Sequence, residues 1–280
     1  MNARPLAAAV VGRGLVDPAA PLVAADDEGF ARGRAAFETL RVYGGRPFRL
    51  EEHLERLRAS STRLGLPEPG ADELRDVAEA ALAQAAIGDA VLRLYWTPGV
   101  PPEGPRGIAL VSAVPDWIEP ARARGQRLVS LAYPRRSVPW LLPGTKSVSY
   151  ATHIAAETEA KRRGADDALL VDLDGTVLEG PVTNVWWREG ERVLTPSLEL
   201  GILAGETRAA LLELADGEGY EVEEGQYAVE RIGAADELFT SSSVREVMPV
   251  AALDGRSYES HEAAVRLQAA LRRAAVPTGG

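Results

Sequence analysis

Strand-like and helix-like stretches alternate along the whole chain, and this alternation limits the fold to a mixed class. Two strand-like runs flank a glycine-rich turn in Leu6–Val16. Leucines at helical spacing predict an amphipathic helix over Leu50–Leu64, and a second, alanine-rich helix is predicted over Asp72–Ala86. Two strands are predicted next, over Ala90–Trp96 and Gly107–Ala113. This part of the chain therefore combines strands and helices in one core.

The second half continues the mixture. The composition changes at Val114–Arg122, which we interpret as the boundary between a smaller α+β domain over 1–118 and a larger C-terminal domain over 119–280. Ala35–Tyr43 fits either the start of a helix or a strand. The remaining predicted elements are helices over Tyr150–Arg163, Thr207–Asp216 and about Ser260–Ala275, and strands over Gln126–Leu131, Ala168–Asp172, Val177–Glu179, Val185–Arg188, Glu237–Thr240 and Val247–Ala251. The order of elements predicts an α+β fold with two subdomains.

Composition excludes several classes of protein. The net charge of −10 argues against a nucleic-acid or anionic-membrane partner, which would need a basic patch. Cysteine is absent, which excludes disulfides, thiolate catalysis and cysteine-ligated metals. The apolar run Leu6–Val11 is too short for a signal sequence, and no later run approaches membrane-spanning length. We therefore expect a cytoplasmic protein that binds small molecules.

Lysine is scarce in this chain. Of 31 basic residues, two are lysines, Lys146 and Lys161, which leaves 29 arginines. An amine can lose its proton and attack a carbonyl to form a Schiff base, whereas a guanidinium stays charged. Lys161 lies beside two arginines at the predicted end of a helix, where cations complement the helix dipole. Lys146 lies in the loop Pro143–Tyr150 (PGTKSVSY), and it is either a catalytic amine or a surface lysine.

Two stretches could bind an anion through backbone amides and hydroxyls. Gly201–Arg208 (GILAGETR) leads into a predicted helix, whose positive end suits a phosphate. The plainer alternative is an ordinary glycine loop with Thr207 as the N-cap. Thr240–Val244 (TSSSV) places adjacent hydroxyls directly after a strand, although serine runs in loops are usually solvated.

Two charged residues complete the candidate site. Arg56 lies on the polar side of the first long helix, where it either reaches a phosphate or pairs with Glu52 four residues earlier. Glu179 ends an apolar strand-like run, where it either binds a protonated ring nitrogen or is a solvated turn residue. Together the features match the parts of a pyridoxal phosphate site, namely an imine-forming lysine, an acid for the ring nitrogen and a phosphate seat.

The sequence also resembles the fold type IV (class IV) pyridoxal-phosphate aminotransferases. This family includes branched-chain and D-amino-acid transaminases, (R)-selective amine transaminases and aminodeoxychorismate lyase. The resemblance extends from about Asp26 to Gly255. The blocks that carry it are AAFETLRVYGGRPFRLEEHLERL, KSVSY, ADDALLVDLDGTVLEGPVTNVWW, LTPSLELGILAGETR and DELFTSSSVREVMPV.

The resemblance implies a role for each matching residue. Lys146 corresponds to the Schiff-base lysine, which also shuttles the substrate proton and here would lie in the C-terminal domain. Glu179 corresponds to the glutamate facing the pyridine nitrogen, and Arg56 to the phosphate-binding arginine. Glu206 and Thr207 replace an Ile-Thr pair, so a carboxylate would lie near the phosphate. The remaining cofactor contacts implied are Ser242 and Ser243 to the phosphate and Tyr150 to the ring hydroxyl.

The substrate block departs from the family pattern. Arg32 replaces a usual aromatic residue and Arg34 a usual small or acidic one, in the block that also contains Phe37. Two arginines would suit an α-carboxylate through bidentate pairing, or else they point to solvent or pair with Asp26 or Asp27. Arg93, inside an apolar strand, must be paired, either with substrate or in a structural ion pair. Arg135, in the loop before Lys146, is a further carboxylate candidate.

The resemblance implies a homodimer with the site at the subunit interface, and a ping-pong reaction between an amino acid and a 2-oxo acid. We favour a D-amino acid or related (R)-amine as donor. The alternatives are aminodeoxychorismate lyase and, less favoured because Arg32 replaces an aromatic residue, a branched-chain transaminase. An alternative from a different functional class is a protein that binds a phosphate-containing ligand without catalysing a reaction. A metal site is poorly supported: His153 and Glu157 share a helix face without a second histidine, and His53 and His261 are expected at helix surfaces.

Overall fold

The computed structural model describes residues 4–134, 140 and 142–276. The chain divides into two compact units. The first contains Met1–Pro115 and the short segment Thr145–Tyr150, and the second contains Asp116–Gly144 and Ala151–Gly280. The first division lies inside the stretch where the composition changes. The segment that carries Lys146, which the sequence assigned to the C-terminal domain, groups instead with the first unit.

The first unit is built on one six-stranded sheet. Its strands are β1 (Ala7–Val10), β2 (Gly14–Val16), β3 (Ala36–Tyr43), β4 (Arg46–Pro47), β5 (Ala90–Val100) and β6 (Gly104–Ala113). The order across the sheet is β2-β1-β6-β5-β3-β4, and the neighbouring strands are antiparallel. The stretch that fitted either a helix or a strand is therefore the strand β3.

Three helices accompany this sheet: α1 (Glu28–Ala31), α2 (Leu50–Arg63) and α3 (Ala71–Ala85). The two longer ones carry the predicted apolar faces. Leu57 of α2 and Leu74 of α3 pack in one core with Leu40 and Leu92 of the sheet. Burial of each leucine side chain stabilises the fold by about 1.5–3 kcal/mol. This packing gives α2 a fixed position, which matters because α2 carries Arg56 and Ser60.

The second unit is built on an eight-stranded mixed sheet. Its strands are β7 (Gln126–Ala132), β8 (Asp167–Val171), β9 (Asn184–Glu189), β10 (Arg192–Pro196), β11 (Glu221–Gly225), β12 (Glu237–Ser242), β13 (Glu246–Leu253) and β14 (Arg256–Ser257). The order is β11-β10-β9-β12-β13-β7-β8, with β14 paired to β13. The pairs β10–β11, β13–β7 and β7–β8 are parallel, and the others are antiparallel.

The helices of the second unit are α4 (Ile118–Arg124), α5 (Ala151–Arg162), α6 (Glu206–Leu214), α7 (Val229–Ile232) and α8 (Glu262–Ala275). The sheet contributes large buried side chains, among them Trp186 and Phe239, whose rings stack with centroids 6.1 Å apart. Helix α8 buries Leu267 and Leu271 on its inner face. Within the described residues, no helix combines the length and the apolarity that crossing a bilayer would require.

The strand predicted over Val177–Glu179 does not form as a regular strand. Val177 makes an isolated bridge to Val171, Leu178 N–H donates to the carbonyl of Leu170 at 3.0 Å, and Leu170 N–H donates to the carbonyl of Glu179 at 2.8 Å. The pairing ends at once because Gly180 and Pro181 follow, and a proline cannot donate to a strand ladder.

Candidate active site

Lys146 is held by hydrogen bonds along its backbone. Its N–H donates to Ser60 Oγ on α2 at 3.2 Å, and its carbonyl accepts the N–H of Phe37 at 3.2 Å. Two residues later, Val148 N–H donates to the carbonyl of Ala35 at 3.0 Å. The segment therefore pairs with the start of β3. These contacts connect residues more than 80 positions apart, which is why the chain order placed the segment in the wrong unit.

The amine of Lys146 lies against aromatic groups. Nζ is 4.5 Å from the centroid of the Phe37 ring and 3.4 Å from the hydroxyl oxygen of Tyr150. Lys161, by contrast, is an exposed residue in the last turn of α5. Of the two lysines, it is Lys146 whose amine lies in a packed, partly desolvated position, where an amine is suited to nucleophilic chemistry.

Phe37 and Tyr150 belong to an aromatic cluster that includes Tyr95. Phe37 lies edge-on to Tyr150 with centroids 5.2 Å apart and stacks on Tyr95 at 5.9 Å. The register of β3 and β5 places Phe37 directly opposite Tyr95. Burial raises the pKa of Tyr95 above its ordinary value, against the opposing effect of Arg93. Tyr95 was not predicted as a site residue, although its position two residues after Arg93 places both side chains on the same face of the strand.

Arg56 forms a buried cluster with Glu38 and His53. Arg56 donates from Nε and Nη2 to the two carboxylate oxygens of Glu38, at 2.8 and 2.6 Å. His53 Nδ1 lies 2.7 Å from Glu38 Oε2. Burial would raise the pKa of Glu38, but the Arg56 charge and hydrogen bonds, with His53, hold that pKa well below its usual range. The expected surface position of His53 is wrong, since it is 1% exposed, and Arg56 pairs with Glu38 rather than Glu52.

The predicted substrate arginines differ in their surroundings. Arg34 donates from Nε to the carbonyl of Leu64 at 3.0 Å and from Nη1 to Glu28 at 2.6 Å, so its guanidinium holds backbone and side-chain groups of the first unit. Arg32 is 77% exposed and lies 3.6 Å from the same Glu28 carboxylate. Arg32 and Arg34 therefore pair with Glu28 and not with the predicted partners Asp26 and Asp27. The Asp27 carboxylate instead caps α1 and accepts a hydrogen bond from the Thr97 hydroxyl.

Arg93 and Arg135 complete the predicted substrate residues. Arg93 donates from Nη1 to Ser112 Oγ, on the neighbouring strand β6, at 3.2 Å. This contact supplies a polar partner for a charge in an otherwise apolar strand, as burial requires. Arg135 lies outside the described residues. In the described part of the chain, no group of three His, Asp or Glu residues is arranged to hold a metal ion.

Glu179, in the second unit, is fixed by the turn that begins there. Glu179 is 6% exposed as a residue, and its Oε2 accepts the N–H of Leu203 at 3.0 Å. Gly180 N–H donates to the carbonyl of Thr183 at 2.8 Å, which closes the turn. A Cβ at residue 180 would lie 2.3 Å from Thr183 Oγ1, so a larger residue there would have to displace the Thr183 side chain. Glu179 is therefore a positioned buried carboxylate and not a solvated turn residue.

Helix α6 begins at Glu206 without a side-chain cap. Its N-cap is Gly205, and a Cβ there would lie 2.2 Å from Asn184 Oδ1. Asn184 in turn donates to the carbonyl of Leu203 at 2.9 Å, which fixes the approach to the helix. The Thr207 hydroxyl is buried in the first turn, and Glu206 is half-buried. Thr207 is thus not the N-cap that the plainer alternative predicted.

Ser242 and Ser243 lie at the hairpin between β12 and β13. Ser242 pairs with Glu246 across the turn, and Ser242 Oγ accepts the N–H of Arg245 at 3.3 Å. The preceding Ser241 is buried and its Oγ accepts from Trp186 Nε1 at 2.9 Å. The three serines therefore differ in role, because Ser241 belongs to the core while the other two lie in the turn.

The residues present fit pyridoxal 5′-phosphate. In the first unit, a partly desolvated amine lies beside a tyrosine hydroxyl. In the second unit, a buried carboxylate is available for a protonated ring nitrogen, and an uncapped helix start behind a glycine offers amides to a phosphate. The acid Glu206 in that first turn complements the helix dipole.

Comparisons with known proteins agree with this chemistry. A family model described as amino-transferase class IV matches residues 35–253. The chain is 34% identical over 260 residues to the bifunctional aminodeoxychorismate lyase / D-amino acid transaminase of Mycobacterium tuberculosis, across 86% of this chain and 89% of that protein.

Solved structures show the same fold. The fold IV-transaminase CpuTA1 from Curtobacterium pusillum superposes with a TM-score of 0.88 at 37% identity, covering 94% of this chain and 97% of that one. A hypothetical aminotransferase from Mycobacterium tuberculosis in its PLP-bound form superposes with a TM-score of 0.90 at 31% identity, covering 96% of this chain and 99% of that one. The same aminotransferase is also known in an alpha-ketoglutarate and PMP bound form.

Proposed function

This chain belongs to the class IV aminotransferases, whose cofactor is pyridoxal 5′-phosphate, and on that premise we propose that it transfers an amino group from a D-amino acid or related (R)-amine to a 2-oxo acid. The observation that carries the proposal is the placement of Lys146. Its amine lies 4.5 Å from the Phe37 ring centroid and 3.4 Å from the Tyr150 hydroxyl, on a segment held by backbone hydrogen bonds. Lys161 has no comparable surroundings.

Lys146 performs two tasks in this proposal. It binds the cofactor covalently, and its Nζ moves the proton at the substrate α-carbon. When bound, pyridoxal phosphate supplies the electron sink that stabilises negative charge at that carbon. The amine must be neutral to accept the proton, which requires that it be shielded from water and positioned close to the carbon. The hydrogen bond from Lys146 N–H to Ser60 Oγ supports this positioning.

The other site residues bind and orient. We propose that Glu179 holds the protonated ring nitrogen, and that Arg56, the amides of Glu206 and Thr207, and the hydroxyls of Ser242 and Ser243 bind the phosphate. Tyr150 orients the ring hydroxyl, a role supported by its proximity to the Lys146 amine. The bidentate hold of Glu38 on Arg56 supports a fixed arginine, since a preorganised donor loses little entropy on binding.

The identity of the amino donor is proposed from the relatives and from the substrate block. The M. tuberculosis relative is named for both aminodeoxychorismate lyase and D-amino acid transaminase activity, which supports a D-amino acid donor and keeps the lyase as the second candidate. A branched-chain L-amino acid is less favoured because the block that contains Phe37 begins with the exposed Arg32 in place of an aromatic residue. For the substrate carboxylate, Arg93 remains a candidate, and Arg34 is less favoured because its guanidinium is bound to the carbonyl of Leu64 and to Glu28.

Product analysis distinguishes the candidates. The cofactor-loaded protein is mixed with 2-oxoglutarate and, in parallel, with D-alanine, (R)-1-phenylethylamine or L-leucine. D-Glutamate is tested with pyruvate as the acceptor, because its own oxo product is 2-oxoglutarate, and aminodeoxychorismate is tested alone. We expect a D-amino acid or the (R)-amine to yield its oxo product with ping-pong kinetics. Pyruvate released from aminodeoxychorismate without any 2-oxo acid would instead support the lyase, and a preference for L-leucine would contradict the D-donor.

We also propose a cytoplasmic homodimer with the site at the subunit interface. Support comes from the family resemblance and, for the compartment, from the absence of cysteine, since disulfides are common in proteins of oxidising compartments. Sedimentation of the cofactor-loaded protein tests the assembly. Full activity at concentrations where only monomer is present would contradict an interface site.

A further inference from the structure

The turn that carries Ser242 and Ser243 ends on a residue in an unusual conformation. Glu246, the first residue of β13, has a φ of +57°, in the left-handed region that glycine and asparagine adopt far more readily than glutamate. Such a conformation persists when surrounding contacts enforce it. A glycine at this position would avoid the strain, but it would lack every side-chain contact that Glu246 makes.

The Glu246 side chain is completely buried and is held by three side chains. Oε2 accepts from Arg122 Nη2 at 2.8 Å, from Gln268 Nε2 at 2.7 Å and from Arg272 Nη2 at 2.8 Å. Arg272 Nε also lies 3.2 Å from Oε1. Charge-assisted hydrogen bonds of this kind are short and strong. They connect the end of the turn to α4, which contains Arg122, and to α8, which contains Gln268 and Arg272.

The other residues of the turn are also held from outside. Arg245 forms an ion pair with Asp167 at the start of β8, and its guanidinium lies 5.3 Å from the centroid of the Trp117 ring. Its N–H donates to Ser242 Oγ at 3.3 Å. The Val247 N–H donates to Gln268 Oε1 at 2.8 Å, the same glutamine that binds Glu246. The backbone on the β13 side of the turn therefore has little freedom to move.

We propose that Glu246 is a positioning residue that fixes the Ser242–Ser243 hydroxyls for the phosphate of the cofactor. Its buried carboxylate, anchored by Arg122, Gln268 and Arg272, holds the backbone in the left-handed conformation that closes the turn. The hydroxyls are then preorganised, and phosphate binding does not have to order them. This inference rests on the proposed function, in which Ser242 and Ser243 contact the phosphate.

The test compares two ligands that differ only in the phosphate. Apo protein is titrated with pyridoxal 5′-phosphate and with pyridoxal, and the two dissociation constants are measured for the native protein and for Glu246→Gln. Glutamine keeps the size of the side chain but removes its charge. We expect the variant to bind pyridoxal 5′-phosphate about tenfold more weakly, the effect of one charged hydrogen bond, with little change for pyridoxal.

Two further variants identify the cause. Glu237→Gln is the matched control, because Glu237 is equally buried at the other end of β12 and is bound by Arg188 and by the amides of Ala263 and Ala264. It should lower the free energy of unfolding without changing the ratio of the two dissociation constants. Ser243→Ala tests the phosphate contact itself, and combined with Glu246→Gln it should weaken binding less than the sum of the two single effects.

The outcomes are distinct. A loss of phosphate-dependent affinity in both Ser243→Ala and Glu246→Gln supports the inference. A loss in Ser243→Ala alone, or equal weakening of both ligands in Glu246→Gln, overturns the role of Glu246 and leaves the proposed phosphate site intact. No loss in Ser243→Ala contradicts the proposed phosphate site. If Glu246→Gln does not fold, Arg272→Gln, at the partly exposed end of the network, must show the same selective loss, and its absence overturns the inference.

Discussion

In the proposed function the site depends on the chemistry of the Lys146 amine, and a charge-preserving substitution tests that chemistry. Lys146→Arg retains a cation beside Phe37 and Tyr150 but removes an amine that can lose a proton. We expect amino transfer to fall by at least about 10²-fold, the usual contribution of a positioned acid–base group. Steady-state kinetics measures the effect. Lys161→Arg, on the exposed end of α5, is the control and should remain fully active; equal losses in both variants would contradict the assignment.

The lowered pKa of Glu38 predicts how the free energy of unfolding changes with pH. Burial alone would raise the pKa of Glu38, but the charge and hydrogen bonds of Arg56, together with those of His53, outweigh burial and hold the folded-state pKa below its ordinary value of about 4.3. A lowered pKa means that the ionised carboxylate stabilises the fold above its unfolded-state pKa and that this stabilisation is lost as the pH falls towards the folded-state pKa. We expect the free energy of unfolding to begin to drop near about pH 5 and to keep dropping as the pH is lowered further, and to drop less steeply in Glu38→Gln.

An exposed pair provides the comparison for Glu38. Glu55 lies on the surface of α2, the helix that carries Arg56, and Arg58 lowers the pKa of Glu55 through hydrogen bonds. Because solvent screens that pair, Glu55→Gln should leave the pH dependence nearly unchanged. Denaturant unfolding at several pH values measures both variants. Identical slopes in the native protein and Glu38→Gln would show that the buried cluster does not control acid stability.

At the residue scale, the sequence predicted groups whose type is decisive and missed groups whose position is decisive. Lys146 became a candidate because lysine is scarce, and Glu179 because it ends an apolar run. Tyr95 and Glu246 depend on strand register and on a backbone conformation that no local pattern reveals. His53 was assigned to the surface because its helical neighbours are charged, yet the strand β3 brings Glu38 against it.

At the scale of elements, the connection between α4 and β7 should be sensitive to a single methyl group. Gly125 has a φ of +71°, and a Cβ there would lie 2.8 Å from Ala251 Cβ. Gly255, between β13 and β14, has a φ of +85° with no atom within 4 Å of its Cβ position. Gly255→Ala should therefore lower the free energy of unfolding by about 1–2 kcal/mol through backbone strain alone.

Gly125→Ala should destabilise the protein more than Gly255→Ala for two reasons. It adds a collision of about 1–3 kcal/mol with Ala251, and the ψ of 153° at Gly125 belongs to a region that is essentially restricted to glycine. Thermal or denaturant unfolding of the two variants measures the difference. Equal stability losses would contradict this prediction.

Helices and long strands followed from periodicity, because an apolar face must be buried whatever its partner. The two longer helices of the first unit, α2 and α3, are within about one residue of their predicted ends. The irregular segment at Val177–Glu179 could not be predicted in the same way. Its apolar residues resemble a strand, but Gly180 and Pro181 limit it to a short pairing with β8, and that limit places the Glu179 carboxylate in a turn.

At the scale of the whole molecule, the α+β class and the family follow from the order of the blocks. The grouping of Thr145–Tyr150 with the first unit does not, because it depends on contacts with β3 and α2 that are distant in the chain. The identity of the substrate also cannot be predicted from local sequence patterns. Arg32 and Arg34 look equivalent in the sequence, yet one is exposed and the other is anchored to backbone carbonyls.

Covalent attachment of the cofactor to the amine of Lys146 can be detected directly. Protein loaded with pyridoxal 5′-phosphate is reduced with borohydride, digested and mapped by mass spectrometry, so that a covalently attached pyridoxyl group is retained on its lysine. With two lysines in the chain, the result is unambiguous. The label is predicted on the peptide that contains Lys146 and not on the peptide that contains Lys161. A label on Lys161, or no label on either lysine, would contradict the account.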